Sequence, residues 1–164
     1  MHFNYLVILS TALIPLLVGF VWYNPKTFGG AWQRASGVTQ QTMEGANMGK
    51  IFGLTFLCGL LLAFVLPLLV IHQTGVHSAL MPTVDTAGSE NFAYFASFME
   101  KYGENFRTFK HGALHGFMSG LFIATPVLGV NALFERKSFT YVAINAGYWI
   151  VSMALMGGVI CQWA

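Results

Sequence analysis

The chain has 164 residues, of which 55% are hydrophobic and only 9% charged, with a formal net charge of +2. An ordinary soluble domain is about 25% charged, so this composition excludes a water-exposed globular surface. It also provides no basic patch suited to nucleic acid.

The distribution of charge is more telling than its amount. Four runs, 3–25, 51–80, 112–134 and 138–164, contain no Asp, Glu, Lys or Arg. Each holds an apolar stretch near the ~20 residues a helix needs to cross about 30 Å of hydrocarbon. Backbone groups in lipid must be satisfied within the segment, so these runs read as helices. The predicted fold class is all-α: an integral membrane bundle of four transmembrane helices, forming one domain over 1–164.

Span 1 is predicted over about 4–23, with Pro15 as a kink. A cleavable signal peptide is the competing reading, but its n-region would hold only the amine and His2. The run also ends in Trp22-Tyr23, a pair suited to a membrane interface, so retention as a helix is expected. Asn24-Pro25 ends the span, because proline disfavours helix at the residue before it. The Gly-rich segment that follows carries Phe28 and Trp32 four apart, the spacing of a half-turn lying in the interface; a solvated loop is the alternative.

Span 2 is predicted over about 48–71, with Gly49 and Gly53 as a small-xxx-small packing pair and Pro67 near its far end. After it, Phe92, Phe95, Met99, Tyr102, Phe106 and Phe109 recur at steps of three and four. That periodicity predicts an amphipathic helix over about 90–109, between spans 2 and 3, starting behind a Ser89 cap. Such a helix lies at the interface or folds over the end of the bundle. Gly103 weakens it by about 1 kcal/mol and marks a bend. Span 3 is expected over about 111–134 and span 4 over about 139–161. The four-residue turn Glu135–Ser138 makes these two an antiparallel hairpin. No internal repeat is visible, so the usual pointer to an inverted-repeat transporter is missing.

Four spans put the 24–50 and 135–138 connections on one side, with Lys26, Arg34, Lys50, Arg136 and Lys137. The long 73–110 connection and both termini share the other side, with Lys101, Arg107 and Lys110 diluted by Asp85, Glu90, Glu100 and Glu104. Positive charge favours the cytoplasm, so both termini and the long connection are expected outside. Cys58 and Cys161 differ in depth by about 20 Å at helical rise, too far for a disulfide.

Three constellations carry candidate chemistry. In "HGALHGFMSG", Gly112, Gly116 and Gly120 form a stripe of the kind that lets helices approach closely in lipid. The partner across that stripe is span 2, span 4 or another subunit. About 100° away round the helix, His111 and His115 stack on one face, and His72 and His77 stand at the same end of span 2. Two imidazoles at i, i+4 suit zinc, copper or nickel, and a histidine from each helix would suit haem. The plainer readings are interfacial histidines bonded to backbone, lipid headgroups or each other, or a pH-responsive group. At the opposite end, Asn131, Asn145 and Glu135 read as interhelical polar contacts, worth about 0.6–2 kcal/mol.

No span has a carboxylate, Lys or Arg at its centre, as ion-coupled transporters and voltage sensors usually do. Nucleotide-binding, nucleophile-elbow and zinc-protease motifs are missing too, so the chain is expected to be non-enzymatic. The "WY-P--FG-AW" signature at Trp22 to Trp32, "HG---HG" at His111 to Gly116 and "FE--S" at Phe134 to Ser138 give a resemblance over most of the chain. It resembles the bacterial membrane family catalogued as domain of unknown function 1761. The resemblance implies a small multi-helix membrane protein and carries over no binding or catalytic residue.

The expected function is a structural or accessory membrane subunit acting through helix packing, as a homo-oligomer or part of a larger complex in the lipid bilayer. The alternatives are an oligomeric channel or transporter for a small solute, and a metal- or haem-binding protein using the histidine cluster. No cofactor is expected beyond that possible ion or haem.

Overall fold

The computed structural model describes residues 3–164. Met1 and His2, at the head of the first apolar run, lie outside the described residues. Every regular element among those residues is a helix: α1 (Tyr5–Trp22), α2 (Gly29–Ser36), α3 (Gln40–Glu44), α4 (Met48–Val70), α5 (Gln73–Ala79), α6 (Glu90–Tyr102), α7 (Phe109–Phe134) and α8 (Phe139–Trp163). Of these, α1, α4, α7 and α8 are long and apolar enough to cross a membrane. The chain is an all-α protein with four membrane-compatible spans.

Helix starts follow local chemistry. Asn4, Thr39, Asn47, Ser89, Thr108 and Ser138 each precede a helix, and each side chain accepts a hydrogen bond from a backbone N–H three residues on. Such caps satisfy donors that the helix itself leaves orphaned. Prolines and small polar residues shape the interiors. In α1, a 3₁₀ turn at Thr11–Leu13 precedes Pro15, and Thr11 Oγ1 donates to the Ile8 carbonyl at 2.6 Å. In α7, a π turn at Gly120–Ala124 precedes Pro126, whose ring nitrogen has no proton to donate.

α8 is the hub. Its apolar window is 56% buried, against 17–28% for the other three spans. Met153, Met156, Ile160 and Cys161 of α8 meet Ala63, Leu66 and Val70 of α4 and Ile8 of α1 in one core. The outward faces of α1, α4 and α7 carry exposed Leu17, Phe20, Leu61, Phe64, Phe122 and Leu133. That arrangement is unfavourable in water and natural in lipid.

Two connections differ from the sequence expectation. The amphipathic helix α6 ends at Tyr102, not near 109, and α7 begins at Phe109. Between them Phe106 adopts a left-handed φ of 63°, a break that the spacing of the aromatic residues runs straight through. Its cap is the expected Ser89, and only Phe95 of its aromatic face is buried. The segment after span 1, read as a half-turn or loop, contains the two-turn helix α2.

Candidate metal centre

The glycine stripe of α7 sets how closely α7 approaches α8. A Cβ at Gly112 would strike the Gly157 carbonyl and the Cys161 side chain, and one at Gly116 would strike the Met153 carbonyl. At Gly120 it would lie 2.6 Å from the Ile150 Cα. The seam is reciprocal, since a Cβ on Gly157 would come within 2.5 Å of the Gly112 carbonyl. The stripe therefore packs within this chain, on span 4. Gly49 and Gly53 behave differently: an added Cβ meets only Asn47 Oδ1 at Gly49, and nothing within 4 Å at Gly53. Among the described residues no helix packs against this pair, whereas Gly59, not singled out by the sequence, lets Ala12 of α1 approach α4.

With α7 fixed against α8, its histidine face is fixed too. His111 and His115 sit one turn apart on α7. α4 ends at Val70, and Ile71 turns extended (φ −114°, ψ 105°), which carries His72 toward them. Ring nitrogens of His72, His111 and His115 all lie within 4.8 Å of one another. The Nε2 atoms of His72 and His111 are 2.8 Å apart, a hydrogen bond in which one neutral ring donates and the other accepts. The three ring centroids are 4.6–5.0 Å apart. His72 is exposed, while His111 and His115 are half-buried.

The surroundings hold this arrangement in place. Phe106 covers one side, 5.6 Å from the His72 ring and 5.0 Å from that of His111. Gln73, next to His72 and 3% exposed, points its amide nitrogen at the carbonyls of Tyr102, Gly103 and Asn105, 2.9–3.0 Å away. One side chain thus ties the α6–α7 turn to the end of α4. Its Oε1 is buried without a partner among the described residues. The Cys161 thiol lies 3.3 Å from both the Val70 and Phe106 carbonyls, and Arg107 donates to the Ala164 carbonyl at 2.6 Å. The sequence placed Phe106 only in the aromatic periodicity of the amphipathic helix, and Gln73 did not stand out. A left-handed phenylalanine has no compositional signal, and a glutamine after a histidine has none either.

His77, the fourth histidine of the expected cluster, lies outside the group of three. It stands on α5, with Nε2 3.1 Å from Asp85 Oδ1 and its ring 5.3 Å from that of Phe95. The short helix after Ile71 turns it toward α6 and away from α7.

At the other end of the bundle, Asn145 accepts from the Tyr23 hydroxyl at 2.9 Å and donates to the Tyr141 carbonyl at 2.7 Å. It joins α8 to the end of α1. Burial first, then Tyr148 and Tyr141, pushes the Tyr23 phenol well above its ordinary value. Trp22 Nε1 donates to the Ile144 carbonyl at 3.0 Å, completing an aromatic clasp. Asn131 and Glu135 are exposed, and among the described residues no side-chain hydrogen bond links either to another helix. They face away from α8.

What the three-histidine group offers chemically is a set of nitrogen donors with no carboxylate among them. Neutral imidazoles of this kind suit zinc, copper or nickel. No curated protein and no solved structure matches this chain. The family described as "Protein of unknown function (DUF1761)" matches residues 6–161. With that match covering nearly its full length, the chain belongs to the DUF1761 family of proteins of unknown function.

Proposed function

We propose that this protein is a membrane protein that binds one transition-metal ion through His72, His111 and His115. The observation that carries the reading is the convergence of three imidazoles, one just past the end of α4 and two on α7, to nitrogens within 4.8 Å. Nitrogens bound tetrahedrally to one ion at about 2.0–2.1 Å are ~3.3 Å apart, so small ring rotations close the set. Three protein nitrogens leave a fourth position for water or a substrate, as in catalytic zinc sites. A 2.8 Å gap between His72 and His111 leaves no room for a porphyrin between those two rings, which favours a bare ion over haem.

The test is zinc binding to protein stripped of metal and held in mild detergent. One zinc per chain, lost in the His111→Ala/His115→Ala variant while helix content is kept, is the expected result. Absence of stoichiometric binding by the wild-type protein, with zinc, copper and nickel each tried, would sink the idea.

As to placement, the reading includes a cytoplasmic membrane with both termini outside, supported by five Lys and Arg on the 24–50 and 135–138 connections against three on 73–110. A C-terminal reporter active only in the cytoplasm would overturn it. An accessory role in an assembly draws its support from the Gly49–Gly53 face and the exposed aromatics of α6, such as Phe92 and Tyr94. It draws none from the α7 glycine stripe, which is used within the chain. Native mass spectrometry showing monomer alone would count against assembly.

A further inference from the structure

The end of the bundle away from the histidines carries two grooves that meet. One, of about 340 Å³, is lined by Trp22, Phe28, Phe139, Thr140, Ala143, Ile144 and Gly147. Four of these, Thr140, Ala143, Ile144 and Gly147, repeat at i, i+3, i+4 and i+7 along α8, so the groove follows one helix face. At 1.5 Å per residue that strip is about 10 Å long. At its far end the Trp22 ring packs directly on α8, because Gly147 has no side chain: a Cβ there would lie 2.8 Å from that ring. The second groove, about 270 Å³, is mixed, with Arg34, Ser138 and Thr140 beside Ala31 and Ala35. Thr140 belongs to both.

From this junction we infer a binding site for an anionic phospholipid, its phosphate at Arg34, Ser138 and Thr140 and one acyl chain along the α8 strip. An exposed guanidinium presents a planar fork that matches phosphate oxygens, and the two hydroxyls add donors. The amphipathic order is that of a lipid, polar at the start of α8 and apolar deeper along it. Charge at this end is complementary as well. Lys26, Arg34, Lys50, Arg136 and Lys137 stand against only Glu44 and Glu135, whereas the histidine end has Lys101, Arg107 and Lys110 against four acids. Lys137 is drawn to the same place, its Nζ donating to the Ser36 carbonyl at 2.7 Å. Basic pockets beside membrane helices bind anionic headgroups in this way. The site shares no residue with the histidine group and is independent of the metal reading.

The experiment is native mass spectrometry of the full chain in mild detergent, titrated with phosphatidylglycerol and, separately, phosphatidylcholine. Wild-type protein is expected to bind one phosphatidylglycerol more tightly than phosphatidylcholine. Arg34→Gln should weaken phosphatidylglycerol about fivefold, the equivalent of ~1 kcal/mol for one basic group at a membrane surface, and so narrow the preference. Ala143→Phe, which fills the apolar strip from an exposed position, should weaken both lipids. Lys50→Gln, at the same end but outside both grooves, should change neither. Equal affinity for the two lipids overturns the site. So does a Lys50→Gln loss matching that of Arg34→Gln, which would mean diffuse attraction. Unchanged binding in Ala143→Phe, with thermal unfolding like wild type, overturns it too.

Discussion

The two ends of this bundle are made from the same helices and treat their polar side chains in opposite ways. At the α1–α8 junction, Trp22, Tyr23 and Asn145 each pair with a fixed partner across helices, so their hydrogen-bonding capacity goes into holding two spans together. At the α4–α7 junction, His72 and His111 pair only with each other, and His115 adds a third ring nitrogen without a protein partner outside the group among the described residues. There the fastening is done by neighbours: the α7 glycines, Gln73 and the Thr108 cap. The lesson is a division of labour. Where structural residues already secure a junction, the titratable side chains beside it are left with lone pairs to offer.

That contrast is open to attack, most forcefully through the seam that both ends share along α8. Gly116→Leu places side-chain atoms where the Met153 carbonyl lies. It is expected to cost at least about 3 kcal/mol, beyond ordinary overpacking, and to lower the melting temperature in detergent sharply. Gly53→Leu, with nothing within 4 Å of its Cβ, should stay within about 0.5 kcal/mol of wild type. Equal tolerance of the two changes would remove the seam as the element that aligns the histidines.

Next in size is the effect on metal. His111→Ala should lower zinc affinity by more than the roughly 10–100-fold that loss of an outer-shell partner costs, whereas His77→Ala should leave it unchanged. Protons compete for imidazole nitrogens, so affinity should fall as the pH is lowered. Isothermal titration at two pH values separates these outcomes, and a pH-independent affinity would assign the ion to other ligands.

Gln73→Leu gives a third, smaller signal. It strips the donor from three carbonyls of the α6–α7 turn and should destabilise by about 1–3 kcal/mol. If the turn positions the histidines, the same variant also weakens zinc; loss of stability with zinc affinity intact would separate the turn from the site.

The smallest expected change is at the aromatic clasp. Tyr23→Phe removes one interhelical hydrogen bond and should cost about 0.6–1.7 kcal/mol without touching metal binding. Because burial raises the Tyr23 phenol in the folded state, its contribution is complete below the unfolded phenol value near 10. It is lost as pH rises through the higher folded value. Alkaline titration should therefore weaken wild type toward Tyr23→Phe, and parallel curves for the two proteins would contradict this.

What the sequence determined by itself rests on one-dimensional physics. Uncharged runs of membrane length fix four helices because lipid leaves the backbone no other way to satisfy its hydrogen bonds. Periodicity along "HGALHGFMSG" separates a glycine stripe from a histidine face, since both are properties of a single helix. Tertiary structure decided what each face meets. The α7 stripe packs on α8 and Gly53 on nothing. His72 joins His111 and His115 while His77 turns to Asp85. Those outcomes depend on where α4 unwinds at Ile71 and where Phe106 breaks the chain before Thr108 restarts it. A helical repeat says which residues share a side, and carries no information about what the rest of the chain brings against it.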